Sequence, residues 1–487
     1  MVAREQSAIV KEDVEGPDKD VGDAPFRADD SAPEGVSRVA LLTPYSGGNL
    51  GDAAIQDAII ANLRIRLSDV QFSGICLNPG NFLQRHGTDA FPLCAINRPF
   101  YEMTHGDKTE QSGGTERDRY LAWLKAGLKR VPGLSRCLKA MRGLGNELRH
   151  CVAGYRFLRR HDLLIVSGGG QLDEEWGGAW GHPFTLFKWA ILARIAQIPY
   201  AIVSVGACKV ASPTSRFFLS AALRTARYRS YRDKTSKSIA ASMVPQAEQD
   251  AVVPDAAFGF PPSELPSPAG VRTIAQGRTV VAISPICYAR PESWPNPHRD
   301  VYERYLQKMA QVVAKLLEQD FFLLMVWSSV EDQKRAIPEL LDRLDSESKK
   351  KLAGQAYIPE IATWRDLLAV LEDVDFVITS RLHGAILSFI SQKPTIAISF
   401  DPKVDWVMED LVQTGYLLHI RDFSANDVME ALTRIAAHKA SVVVQIGSYL
   451  DHSLSISASQ YDSLADLAAP SYRRNRKKEG PQRIASR

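Results

Sequence analysis

The stretch Ile378-Thr379-Ser380-Arg381-Leu382-His383-Gly384-Ala385-Ile386 joins a predicted strand to a predicted helix. Residues 374–378 are apolar apart from one aspartate, and residues 384–391 have the composition of a short buried helix. Arg381 and His383 therefore lie beside backbone N–H groups and the positive end of a helix. A fixed cation and a titratable imidazole at a strand end suit a small anion whose reaction needs a proton. The alternative is that Arg381 only pairs with a neighbouring carboxylate and His383 only fills a gap.

Apolar strands alternate with amphipathic helices on both sides of this stretch. The predicted strands are residues 38–43, 71–77, 162–167, 200–205 and 228–232 in the first half, and 279–284, 321–327, 374–378 and 395–399 in the second. The predicted helices include residues 53–67, 332–344 and 425–437. Such alternation is typical of a parallel, doubly wound sheet. We therefore predict an α/β fold with two Rossmann-like doubly wound domains that face each other across a cleft, an arrangement that is GT-B-like.

The domain limits follow from composition. Residues 1–36 lack the apolar side chains needed to fold and are predicted to be a disordered tail. The N-terminal Rossmann-like domain is assigned to residues 37–262, with a basic insertion at about 98–160, and a Pro-rich linker follows it. The C-terminal Rossmann-like domain is assigned to 271–445, and a helix with a basic tail to 446–487.

The charge balance excludes some partners. There are 59 Lys and Arg against 56 Asp and Glu, so the net charge of +3 predicts no nucleic-acid partner. Residues 117–160 nevertheless contain twelve Lys or Arg and two acids. That stretch is either a solvated face or a peripheral contact with acidic lipid headgroups or a lipid-linked substrate.

The cysteines and the apolar segments indicate a location. The six cysteines are dispersed without a C-x-x-C pair, which predicts a reducing compartment and no metal site. The N-terminus has no signal-peptide pattern, and no apolar run is long enough to cross a bilayer. We expect a cytoplasmic protein, with peripheral contact at the inner face of the membrane as a further hypothesis.

Two glycine-rich stretches follow predicted strands, at residues 46–52 and 167–170. Glycines allow a backbone to approach an anion closely, and a helix start supplies N–H donors. Neither stretch is G-x-G-x-x-G, so a dinucleotide cofactor is disfavoured. Asp52 either contacts a ligand or only caps a helix, and Asp173 either accepts a hydrogen bond from a sugar hydroxyl or caps the next helix.

Arg232 also follows a predicted strand. Its guanidinium could hold a carboxylate or phosphate with two parallel hydrogen bonds, or pair with Asp233 or Asp255 inside the domain. The sequence has no P-loop, H-E-x-x-H, G-x-S-x-G or kinase signature. We therefore expect phosphate groups to be held by glycine turns and arginines, without a dedicated metal.

The motifs together resemble those of polysaccharide pyruvyl transferases. They occur in that family's order between residues 38 and about 410: Asn49-Leu50-Gly51-Asp52, Ser167-Gly168-Gly169-Gly170 with Asp173, Arg232-Asp233, Pro254-Asp255, Ser380-Arg381-Leu382-His383 and Asp401-Pro402-Lys403-Val404. The resemblance implies an enzyme that moves the enolpyruvyl group of phosphoenolpyruvate onto sugar hydroxyls of a polysaccharide or its lipid-linked precursor, forming a pyruvate ketal.

The resemblance also implies roles for residues. His383 and Arg381 are the expected catalytic pair at the donor, with His383 as general acid. The expected substrate-binding residues are Arg232, Asn49, Gly51, Asp52, Gly168, Gly169, Gly170, Asp173 and Ser380. A separate hypothesis, which does not come from the resemblance, is that Asp52 or Asp173 helps to deprotonate the acceptor. No cofactor is expected beyond phosphoenolpyruvate as donor substrate.

Two alternatives remain at this point. A GT-B glycosyltransferase that uses a nucleotide sugar would also need two domains and glycine turns, although the second half has no obvious acidic residue for a ribose. A non-catalytic scaffold in exopolysaccharide assembly would instead use the basic region and the tail.

Overall fold

Two parallel sheets organise residues 35–95, 134–294 and 297–469, the parts of the chain described by the computed structural model. The predicted N-terminal tail up to residue 34 and the basic tail from residue 470 lie outside these residues. Of the insertion predicted at about 98–160, the part up to residue 133 also lies outside them, and the part from residue 134 is described as a helix. The architecture confirms the predicted α/β class with two doubly wound domains.

The N-terminal domain contains a seven-stranded sheet in the order β3-β2-β1-β4-β5-β6-β7. Its strands are β1 (Ser37–Leu42), β2 (Val70–Cys76), β3 (Ala90–Pro92), β4 (Leu163–Leu172), β5 (Tyr200–Ala207), β6 (Tyr228–Tyr231) and β7 (Ala251–Val252). Its helices are α1 (Leu50–Arg66), α2 (Pro79–His86), α3 (Leu134–Leu158), α4 (His182–Ala196), α5 (Pro213–Thr225) and α6 (Lys234–Met243). Every neighbouring pair of strands is parallel.

The C-terminal domain contains a six-stranded parallel sheet in the order β10-β9-β8-β11-β12-β13. Its strands are β8 (Val280–Ser284), β9 (Phe322–Met325), β10 (Ala356–Tyr357), β11 (Phe376–Thr379), β12 (Thr395–Ser399) and β13 (Leu417–His419). The helices from the linker onward are α7 (Val271–Ala275), α8 (Arg299–Glu318), α9 (Ile337–Asp342), α10 (Ser346–Gln355), α11 (Trp364–Glu372), α12 (Leu382–Ile390), α13 (Pro402–Asp410), α14 (Ala425–Ala437) and α15 (Lys439–Ala468).

Two local expectations were wrong. The glycines at 168–170 do not form a turn after a strand, because β4 continues to Leu172 with a register shift after Gly169. Gly168 and Gly169 have φ of +49° and +70°, values that glycine adopts without the strain other residues would have. The continuous helix predicted at 332–344 begins with a π-helical turn at Asp332–Ala336, because Pro338 cannot donate to an α-helical hydrogen bond.

The order of the strands in the two sheets indicates where the cleft between the domains lies. It reverses between β1 and β4 in the first sheet and between β8 and β11 in the second, and ligands of such sheets bind at the carboxyl ends of the strands beside this reversal. The domains meet there through an antiparallel bridge between Asn49 and Ser329, in which Leu50 N donates to Ser328 O at 2.9 Å.

The last helix returns to the N-terminal domain. Helix α15 crosses the boundary predicted at 445/446 and packs against α1. Its Gln460 side chain accepts a hydrogen bond from Ser230 Oγ and donates to Ser204 Oγ, and Asp462 pairs with Arg66 at 2.6 Å. Among the described residues no helix is long and apolar enough to cross a membrane.

Candidate functional site

A cavity of about 360 Å³ lies between the domains at the two strand-order reversals. Both domains contribute polar side chains to it. The lining residues that matter for the chemistry are Asn49, Asp52, Gly168, Gly169, Gly170, Asp173, Arg232, Arg381, His383 and Lys403. The structure therefore brings together nearly all the residues that the sequence singled out.

Asn49 stabilises the start of the helix that follows β1. Its Oδ1 accepts hydrogen bonds from Gly51 N at 3.0 Å and Asp52 N at 3.4 Å, so Asn49 is the N-cap of α1. Asp52 is thereby left with its carboxylate at the cavity. Burial raises the pKa of Asp52, while His383 acts in the opposite direction.

Gly51 has a steric role. A Cβ atom there would lie 1.9 Å from Cγ and 2.3 Å from Cβ of His383, so the imidazole occupies the space that any other residue would fill. Gly51 is covered by the histidine and does not itself line the cavity.

The glycines of β4 also lie close to neighbouring side chains, although less closely than Gly51 lies to His383. A Cβ atom at Gly168 would lie 2.8 Å from Ile55 on α1, and one at Gly170 would lie 3.5 Å from Nζ of Lys403 in the other domain. The Gln171 amide donates to Gly168 O at 2.8 Å, and its oxygen lies 2.8 Å from His182 Nε2. Burial lowers the pKa of His182 to about 4, so a neutral imidazole holds the glycine stretch in place.

Asp173 follows β4 and is almost completely buried. The next helical turn begins only at Gly178, so Asp173 does not cap it. Its Oδ1 has no hydrogen-bond partner within the described parts of the chain. Burial raises the pKa of Asp173 to about 6, against the opposing effect of Lys403. A buried carboxyl group with a pKa close to neutrality is suited to accept a proton.

The surroundings of Arg232 agree in part with each of its two predicted roles, an ion pair inside the domain and contact with a ligand. Its Nε lies 3.4 Å from Asp233 Oδ2 and its Nη1 lies 3.8 Å from Asp255 Oδ2, which are long contacts. Its Nη2 is buried at the cavity without a hydrogen-bond partner in the described chain. Gly206 makes room for this side chain, since a Cβ atom there would lie 2.5 Å from the guanidinium carbon.

Arg381 is paired more tightly. Its Nε and Nη2 donate to the two carboxylate oxygens of Asp332 at 2.5 and 2.9 Å. Asp332 is fully buried and also accepts from Cys287 N at 2.9 Å. The alternative of a neighbouring carboxylate therefore holds for Arg381, although the same guanidinium borders the cavity.

His383 and Ser380 differ in their surroundings. The Nε2 atom of His383 is buried at the cavity and has no hydrogen-bond partner among the described residues. Ser380 is fully buried beneath the cavity wall, where its Oγ lies 2.9 Å from the hydroxyl of Tyr305. Ser380 thus positions the strand end and does not border the cavity.

Lys403 and Trp176 were not singled out as site residues. Lys403 enters the cavity from the C-terminal domain, with Nζ 3.6 Å from Asp401 Oδ2. Its motif, Asp401-Pro402-Lys403-Val404, was the signal that could have identified it. Trp176 borders the cavity with 40% of its surface exposed, and no local sequence pattern distinguishes it. Within the described residues no three His, Cys, Asp or Glu side chains are arranged to hold a metal ion.

The fold and the site together define a two-domain α/β protein of GT-B type with a polar cavity between its domains, lined by both basic and acidic side chains. Residues 49–402 match the profile of the family described as polysaccharide pyruvyl transferase. This chain belongs to that family. A search of curated proteins finds no match.

Solved structures give the same fold at low sequence identity. A putative UDP-N-acetylglucosamine 2-epimerase from Listeria monocytogenes is 10% identical with a TM-score of 0.51, over 88% of this chain and 97% of that one. A glycosyltransferase from Rickettsia africae is 10% identical with a TM-score of 0.50, over 89% and 98% of the two chains. At this identity the likeness concerns the fold alone.

Proposed function

We propose that this protein transfers the enolpyruvyl group of phosphoenolpyruvate onto two hydroxyls of one sugar in a polysaccharide or its lipid-linked precursor, forming a pyruvate ketal. One structural observation supports the proposal in addition to family membership. Arg232 and His383 line the same cavity, and Arg232 Nη2 and His383 Nε2 are both buried without a partner in the described chain. Buried donors of this kind require an acceptor, and a bound anion supplies it.

The donor carries a carboxylate and a phosphate, and the cavity offers three cationic side chains. Arg232 and Lys403 approach from opposite domains, so a donor held by both would also hold the cleft closed. Arg381 has its charge compensated by Asp332 and contributes a fixed donor more than a net charge. The backbone of residues 168–170 supplies further close contacts.

His383 is the proposed general acid. It donates a proton to the methylene carbon of the donor, which leaves positive charge at the central carbon. A sugar hydroxyl adds to that carbon and gives up its proton. The phosphate then leaves with the electrons of its C–O bond, and a second hydroxyl adds and loses its proton to close the ketal.

The acceptor side of the cavity has a carboxyl group and an aromatic ring. We assign Asp173 as the base for the incoming hydroxyl, because it combines an unpartnered oxygen with a pKa of about 6. Trp176 offers an exposed apolar face on which a sugar ring can pack. The proposed reaction uses no cofactor besides the donor. The proposed location is the cytoplasm, with peripheral membrane contact when the acceptor is lipid-linked.

The test is phosphate release from phosphoenolpyruvate with a panel of nitrophenyl and lipid-linked glycosides, with mass spectrometry to detect a gain of pyruvate less water. His383→Gln should lower kcat by about 10² or more while the donor still binds. Arg232→Gln should weaken donor binding. The matched controls are His452→Gln and Arg335→Gln, two exposed positions outside the cavity.

Thermal unfolding separates this proposal from the glycosyltransferase alternative. At a concentration of 100 times its Kd, phosphoenolpyruvate should stabilise the protein by about 2.7 kcal/mol, and Arg232→Gln should remove most of this. Protection by nucleotide sugars but not by phosphoenolpyruvate would refute the proposal. Normal turnover by His383→Gln would remove this residue from the mechanism.

A further inference from the structure

A second cavity of about 550 Å³ lies in the N-terminal domain, far from the first. It is formed where β5 and β6 begin and where α4 and α5 end. The proposed active site lies at the opposite ends of these strands. The eight residues of β5 extend over about 25 Å, so the two cavities cannot hold one small ligand in common.

Four arginines converge on this second cavity: Arg194, Arg224, Arg227 and Arg229. Arg229 is compensated, since its Nε and Nη2 donate to the Asp250 carboxylate at 2.6 and 3.0 Å. The other three are exposed and have no ion pair or side-chain hydrogen bond in the described chain. Of the four guanidinium groups around this space, only that of Arg229 is paired with a carboxylate in the described chain.

Helix ends explain only part of this cluster. Arg194 and Arg224 lie in the last turns of α4 and α5, where a cation is stabilised by the helix dipole. Arg227 lies after the C-cap of α5, outside the helix itself. Three uncompensated like charges around one cavity repel each other unless an anion is present.

The side chain of Tyr200 provides a second, independent indication. Tyr200 lines the cavity with only 1% of its surface exposed, and its hydroxyl has no hydrogen-bond partner among the described residues. A buried tyrosine hydroxyl normally finds a partner, because an unpaired one loses the hydrogen bonds it makes to water in the unfolded chain. A ligand oxygen in the cavity would satisfy it.

We propose that this second cavity binds a phosphate or diphosphate group. Guanidinium groups match the geometry of phosphate oxygens with paired hydrogen bonds, and the tyrosine hydroxyl adds a neutral donor at the base. The volume is within the range of ligand sites. The group belongs either to a free phosphorylated anion or to the headgroup of a lipid, and both present the same oxygens.

Binding is measured on the full chain by calorimetry with inorganic pyrophosphate, and by co-sedimentation with phosphatidylcholine vesicles with and without phosphatidic acid. Arg232→Gln serves as a second parent protein, so that binding in the first cavity is recognised. In both backgrounds Arg224→Gln/Arg227→Gln should raise the Kd about tenfold or more. The control is Arg335→Gln/Arg421→Gln, which removes two exposed arginines elsewhere.

Tyr200→Phe tests whether the Tyr200 hydroxyl donates a hydrogen bond to the ligand or whether the ring only packs in the core. It should weaken binding about fivefold and leave the unfolding temperature unchanged or higher, because it deletes an unsatisfied buried hydroxyl. If the protein binds pyrophosphate and the arginine variant does not, the ligand is a free phosphorylated anion. If the protein binds only the vesicles that contain phosphatidic acid, the ligand is a lipid headgroup. Absence of both, or binding that the arginine variant leaves unchanged, overturns the proposal whatever the transferase activity.

Discussion

Gly51→Ala should disable the protein by moving His383, the proposed general acid, although Gly51 does not line the cavity. The new Cβ atom would lie 1.9 Å from Cγ and 2.3 Å from Cβ of His383, where ordinary contacts begin at 3.4 Å. Rotating the imidazole relieves the first overlap but not the second, because the Cβ atom is fixed to the backbone of α12. That helix must withdraw by 3.4 − 2.3, about 1.1 Å.

The expected effects on activity and stability differ in size. A displacement of about 1 Å at a catalytic group lowers kcat on the order of 10²-fold. Overpacking destabilises by about 1–3 kcal/mol, and alanine recovers about 1 kcal/mol because it is a better helix former than glycine. The free energy of unfolding should therefore fall by no more than about 2 kcal/mol.

The assay is phosphate release from phosphoenolpyruvate, together with a thermal unfolding curve. Gly48→Ala is the matched control, since a Cβ atom at Gly48 meets nothing within 4 Å. It should keep both activity and unfolding temperature. Wild-type kcat in Gly51→Ala, or equal losses in both variants, would refute the placement of His383 over Gly51 as a catalytic requirement.

Two further predictions concern the buried carboxylates. Asp332→Asn should destabilise the protein by about 3–5 kcal/mol in denaturant unfolding, because Arg381 loses its paired acceptor, and an effect under 1 kcal/mol would contradict the pairing. Asp173 holds its proton up to a pKa of about 6 in the folded protein and up to 3.8 when unfolded, so stability falls as pH rises from about 4 to about 6. Asp173→Asn should remove that fall, which is on the order of 3 kcal/mol, and an unchanged pH profile would argue against a buried neutral carboxyl group.

Periodicity and end signals were enough to predict most elements. Helix α14 and strand β12 have the predicted limits, because a serine cap and a proline mark where they begin. Helix α1 begins three residues before the prediction, since Asn49 and not a later residue is its cap. The errors occur where contacts distant in sequence decide the local structure. The glycines of β4 predicted a turn, but the strand continues through them, and Lys403 of the other domain lies close to Gly170.

The electrostatics of the site could not be predicted in the same way. Arg232 and Arg381 look alike in sequence, since each lies within three residues of the predicted end of a strand. The structure gives them opposite states: Asp332, 49 residues away, compensates Arg381 with two short hydrogen bonds, while Arg232 has only long contacts and keeps one donor free. The position of one buried carboxylate therefore decides which arginine is compensated within the protein and which keeps an unpaired donor at the cavity, and only the folded chain brings that carboxylate near.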